Sequence, residues 1–170
     1  MPHDDPGLEA RLPKAVKGRE LASWSLAGWC WVEESFGSGD GFARAASEIH
    51  ESGVDINELR IALVGRGDTR NDPPYFVWVI QVPASQDADA LAVYLLAGAM
   101  GAVDPTHFAD DRTWKALTVG GKKVQVGSAE LVDQSDHQRG KPYIYETDSY
   151  LFAILADDPA WAADALRQLP

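Results

Sequence analysis

Two stretches restrict the fold more than anything else in this chain: "RIALVG" at residues 60–65 and "YFVWVIQV" at residues 75–82. Successive side chains of an extended strand point to opposite faces. Ile61 and Leu63 then oppose Ala62 and Val64, while Tyr75, Val77 and Val79 oppose Phe76, Trp78 and Ile80. Neither strand has a polar side. Strands of this kind lie in the middle of a sheet covered on both faces. The fold must therefore supply two covering layers.

The surrounding pattern indicates how the sheet is built. "TWKALTVGGKKVQV" reads as a hairpin with a two-residue Gly120-Gly121 turn. Counting outward, Val119 faces Lys122, Leu117 faces Val124 and Lys115 faces Val126. Leu117, Val119, Val124 and Val126 then share one face. "PYIYETDSYLFAIL" reads as a second hairpin, turning near Thr147-Asp148. Phe42, Ala45, Ala46 and Ile49 form a helical stripe over Gly41 to Ser52. A second helix is expected over Asp87 to Met100. A third starts with Asp158 as cap and Pro159 at its first position. The order β, α, β-β, α, β-β-β-β, α has mostly hairpin joints. It predicts an α+β fold, a mostly antiparallel sheet with about three helices on one face.

Residues 1–13 hold three prolines and three acids and read as a flexible acidic lead-in, with residues 14–170 as a single domain. "AVKGRELASWSL" (15–26) echoes "TVGGKKVQVGSA" (118–129), with Val16, Gly18, Arg19, Leu21 and Ser25 matching Val119, Gly121, Lys122, Val124 and Ser128. A true repeat would mean two similar β-α halves in one sheet. Helices on one face leave the other to be covered by the Trp-rich segment or by a second copy of the chain. The expected partner is accordingly a protein, with a homodimer as the simplest case.

Fifteen basic residues against 26 acidic give a net charge of −11. That charge repels phosphate backbones and anionic headgroups, and argues against nucleic acid as a partner. No apolar run approaches the roughly 20 residues that span a bilayer. The first residues lack a basic segment followed by an apolar one, so the cytoplasm is the default compartment; a trimmed export segment would place the protein outside it. A single cysteine allows no internal disulfide and no cysteine-cluster metal site. No cofactor motif occurs.

Chemistry-bearing residues cluster in "SWSLAGWCWVEES" (23–35), with three of the six tryptophans and Cys30. Cys30 has no histidine nearby in sequence, and Glu33 and Glu34 disfavour its thiolate. Read as a strand, the segment puts Trp24, Leu26, Cys30 and Val32 on one face and Trp29 and Trp31 on the other. Trp24, Trp29 and Trp31, with Trp78, Tyr143 and Tyr145, are the candidates for a ligand or partner surface. Arg66 and Asp68, in "GRGDTRNDPP", are candidates for a loop contact. The histidines are dispersed: His107 lies near Asp110 and Asp111, and His137 near Asp133 and Asp136, without the spacing of a zinc enzyme. "ESFGSGDGF" is Gly-rich before a helix but lacks a phosphate-loop lysine.

"LPKAVKGREL", "TVGGKKVQV", "YIYETDSYLFAI" and "WAADALRQLP" resemble a group of uncharacterised bacterial proteins from high-GC organisms. These share an LP-x-x-V-x-G-x-x-L start, a VGGK-x-V hairpin and a terminal ALxxLP helix. The resemblance implies a fold and no activity. Some of that group are secreted or lipid-anchored; this chain departs from them in its Trp-rich segment and in lacking an export signal. Three functions are consistent with the sequence: an interaction or assembly domain working through a sheet face, a small-ligand module with a Trp-lined pocket, and an enzyme whose residues meet only in space. The first is the expectation.

Overall fold

The computed structural model describes residues 2–51, 53–66, 75–81, 114–127, 131–132, 139–147 and 149–170. The expected helix over 87–100, the loop holding Asp68, and the His107 and His137 neighbourhoods lie outside the described residues. Among the described residues there are four helices: α1 (Pro6–Glu9), α2 (Gly28–Phe36), α3 (Asp40–Glu51) and α4 (Pro159–Gln168). A small hairpin pairs β1 (Ala15–Val16) with β2 (Arg19–Glu20). The main sheet runs in the order β3 (Ala22–Ala27), β4 (Arg60–Arg66), β5 (Tyr75–Gln81), β10 (Tyr150–Ala156), β9 (Arg139–Glu146), β7 (Lys122–Gly127), β6 (Trp114–Val119). The two-residue β8 (Leu131–Val132) pairs with the start of β9. Every neighbouring pair is antiparallel. The class and the sheet are those expected of an α+β fold.

The central strands have the two-sided cover their composition demands. Ile61, Leu63, Trp78, Ile80, Leu151, Ala153 and Leu155 face one layer, built from α2 and α3 through Trp31, Val32, Ala45 and Ile49. Ala62, Val64, Val77, Val79, Phe152 and Ile154 face the other, built from α1 and α4 through Leu8, Trp161, Ala165 and Leu166. The described helices are thus divided between the two faces rather than gathered on one. The reason is the composition of β4, β5 and β10: an apolar set on each face needs its own cover, and burial of each large aliphatic is worth about 1.5–3 kcal/mol. The premise for a covering second copy, a bare sheet face over the central strands, is therefore removed.

Two sequence readings are corrected. The Trp-rich segment is not one extended strand. It is a strand to Ala27 and a helix from Gly28. The Gly28 N–H donates to Leu59 O at 2.9 Å, and a Cβ on Gly28 would sit 2.5 Å from that of Leu59. This close approach turns the chain out of the sheet. Residues 1–13, expected to be flexible, join the fold from Pro2. Asp5 caps α1 by accepting from the Leu8 N–H at 2.8 Å, Pro6 begins the helix, and Leu8 and Leu12, four apart, are buried together.

The predicted Gly-Gly hairpin has the predicted register, Val119 to Lys122 and Leu117 to Val124. Gly120 and Gly121 both take positive φ, 59° and 84°, as its tight turn requires. The internal echo is likewise a shared turn: Lys17 and Gly18 have φ of 52° and 72°. Both turns rest on α4. The Lys17 N–H donates to Asp164 Oδ2 at 2.7 Å, and a Cβ on Gly120 would lie 2.4 Å from Ala163 O.

Candidate functional site

The six candidate aromatics are not gathered. Trp78 and Trp31 are buried in the layer beneath α2 and α3, and Trp24 packs against it partly buried. Phe76 lies against Trp78 with ring centroids 5.2 Å apart. Trp29 stands on the outer side of α2, 47% exposed. Tyr143 and Tyr145 belong to the opposite face of the sheet. Burial, then the charge of Asp158, raises the pKa of Tyr143. Tyr145 stacks on Phe152 at 5.7 Å and donates from its hydroxyl to Pro170 O at 2.9 Å. Arg66 ends β4, and Asp68, the other candidate for a loop contact, is outside the described residues. Cys30 is half-buried, and burial followed by the charges of Asp4, Glu33 and Glu34 pushes its thiol pKa up. That environment opposes a nucleophilic thiolate.

One polar constellation had no counterpart in the sequence reading. Glu9 of α1 lies against the outer strand β3. Its carboxylate accepts from Ser25 Oγ at 2.6 Å and from Ser23 Oγ at 2.9 Å, and His3 Nδ1 sits 3.0 Å from both of its oxygens. The Asp5 N–H donates to Ser25 Oγ at 2.7 Å, which completes the partners of a fully buried serine. Beside this cluster is a cleft of about 250 Å³ walled by Leu12, Pro13, Leu21 and Val64, with Glu9 and Ser23. Burial raises the Glu9 pKa, but the bonds from Ser25, His3 and Ser23 outweigh it and the net shift is downward. A carboxylate so stabilised is a poor base, and both hydroxyls already donate to it. The cluster pins α1 to the sheet and activates no nucleophile. Among the described residues, no group of three His, Cys, Asp or Glu side chains is placed to hold a metal ion.

The second notable region is the far edge of the sheet. β6 pairs with β7 on one side, and no described strand pairs with the other. Lys115, Ala116, Leu117 and Thr118 are all exposed, so both faces of β6 meet solvent. Leu117 is 49% exposed. The hairpin behind it is firmly seated: Lys122 Nζ donates to Pro170 O at 2.8 Å and lies 4.9 Å from the centre of the Tyr145 ring. In a two-residue hairpin the pair flanking the turn is hydrogen-bonded and alternate pairs follow. The N–H and C=O groups of Ala116 and Thr118 therefore point outward. The far edge of the sheet is thus a seated strand, exposed on both faces, with the apolar Leu117 at its middle.

The fold class is α+β with a two-sided antiparallel sheet. No family model, no curated protein and no solved structure matches the chain. No helix among the described residues is long and apolar enough to cross a membrane.

Proposed function

We propose that the chain is a non-catalytic assembly domain that works through the β6 edge, with a second copy of itself as partner. The observation that carries this is β6, exposed on both faces with Leu117 at its centre, in a sheet whose central strands are buried on both sides. The contact is moved from a sheet face, where the sequence suggested it, to a sheet edge, because the central strands are already covered.

The geometry suits a two-fold contact. Antiparallel pairing of two β6 strands about Leu117 lets the outward groups of Ala116 and Thr118 exchange bonds across the axis. It sets Leu117 against its counterpart and Lys115 opposite Val119 of the second copy, so no lysine faces a lysine. Such an isologous contact extends one sheet into the next. A six-residue edge buries less than the usual protein interface, so association is weak and concentration-dependent. Sedimentation equilibrium tests it. Dimer is expected to grow with concentration, and Leu117→Asp or Thr118→Pro to return the chain to monomer with an unchanged circular dichroism spectrum. Wild-type protein that stays monomeric at its highest soluble concentration removes the reading.

A further inference from the structure

The opposite edge of the sheet is covered, and the cover is unusual in its composition. Residues Pro2, His3 and Asp4 run parallel to β3 and take up the outward backbone groups of Ser25 and the Ala27 N–H. The Ser25 N–H donates to Pro2 O at 3.2 Å, and the Asp4 N–H donates to Ser25 O at 3.3 Å. The Ala27 N–H donates to Asp4 Oδ2 at 3.2 Å, and His3 reaches Glu9. Pro2, His3 and Asp4 are themselves exposed, so this strap is held by polar contacts without burial of an apolar side chain of its own. α1 behind it is different, anchored by buried Leu8. Segments with few buried apolar contacts open locally at low cost.

The strand beneath the strap is "ASWSLA", six residues without a charge, a proline or a glycine. Exposed edges of that composition are templates for pairing with another chain. Charged side chains, lysine above all, are one common device that blunts an edge, and β6 carries one in Lys115. β3 carries no such residue. From these observations we infer that the Pro2–Asp4 strap is a peelable guard on the β3 edge, and that a second copy of β3 takes its place when it lifts.

The inference rests on the β6 reading only for the length of the assembly. Peeling creates one new contact; the β6 edge supplies a second at the far side of the sheet, and two different contacts per copy make an open-ended series. The test is His3→Gly combined with Asp4→Gly, which removes both side-chain holds and loosens the peeled strap. Amide hydrogen exchange at Ser25 and Ala27 is expected to rise on the order of tenfold or more, while the amides of Phe152 and Ile154 stay protected. Light scattering is expected to show new association, and Ala22→Lys, which adds a charge to this edge, is expected to reverse it. Growth beyond a dimer of the starting species supports both readings; a dimer alone supports the guarded β3 edge and counts against β6. Faster exchange with unchanged mass overturns the inference. Wild-type protein offers an independent check should the double variant fold poorly. There, Ser25 and Ala27 amides that exchange only as slowly as that of Phe152 show that the strap never peels, which also overturns it.

Discussion

The sheet ends in two edges treated in opposite ways. At β3 the backbone of Ser25 and the Ala27 N–H are met by Pro2–Asp4, the covering helix is pinned through Glu9, and the strand is uncharged. At β6 the backbone has no described partner, the strand carries Lys115, and the turn behind it is clamped to α4. One edge is covered by another segment of the chain, the other carries a charged side chain of its own. Either device blunts uncontrolled pairing, but they leave different surfaces exposed. The strap covers the β3 edge at Ser25 and Ala27 while it is in place. The lysine leaves β6 open to a partner of the right register.

Substitutions that separate the two edges have expected effects spanning several kcal/mol. Leu8→Ala, in the buried anchor behind the strap, is expected to cost about 2–5 kcal/mol in chemical denaturation. Gly120→Ala forces a Cβ toward Ala163 O at a positive-φ position. It is expected to cost about 2 kcal/mol, within the usual range for such strain, and to loosen the β6 side alone. Unchanged exchange at β6 in that variant would show that the turn does not seat the edge.

Glu9→Gln removes the charge from the Ser25, Ser23 and His3 contacts and is expected to cost about 1.5 kcal/mol at neutral pH. Its pH dependence has a definite sign. The folded Glu9 pKa lies below its ordinary value of 4.5. Its contribution is therefore whole above that ordinary value and is lost as pH falls through the lower folded one. Asp164, lowered by the Lys17 N–H and then Arg167, and Asp158, lowered chiefly by the Ala160 N–H, add to the same acid decline in both proteins. The difference between wild type and Glu9→Gln stability curves should accordingly shrink toward acid pH. Parallel curves would remove Glu9 as the pin. Smallest of all, Leu117→Ala is expected to change stability by no more than about 0.5 kcal/mol. A loss near that of Leu8→Ala would mean that the β6 edge is part of a core.

Much of this was legible from residue patterns. The two-sided strands announced two covering layers, the Gly-Gly turn set its hairpin's register, and Asp158-Pro159 marked the start of α4. The same Asp-Pro signature stands at Asp5-Pro6, followed by Leu8 and Leu12 at helical spacing, and could have marked α1. It was obscured by the prolines and acids around it, which read as a loose terminus. In the Trp-rich segment, β-favouring Trp, Cys and Val outweighed a helical clue: Gly28, Trp31, Val32 and Phe36 fall on one helix face. Tertiary contact with Leu59 decided the outcome, and that contact is invisible locally. The Glu9 cluster was beyond sequence reasoning because Glu9 meets Ser23 and Ser25 of β3, 14 and 16 residues away, only through the fold.

The two turns that rest on α4 bear on the order in which the protein assembles. Lys17 and its partner Asp164 are 147 residues apart, and Lys122 and Pro170 are 48 apart. α4 follows every described element it holds together. A chain emerging from the ribosome must carry Val16 of β1 and Phe152 and Ile154 of β10 without the cover of α4 until that helix arrives. Contacts of such long range slow folding and prolong the exposure of apolar surface. Timing, as much as strength, is what this helix supplies: one face of the sheet can close only after synthesis has reached it.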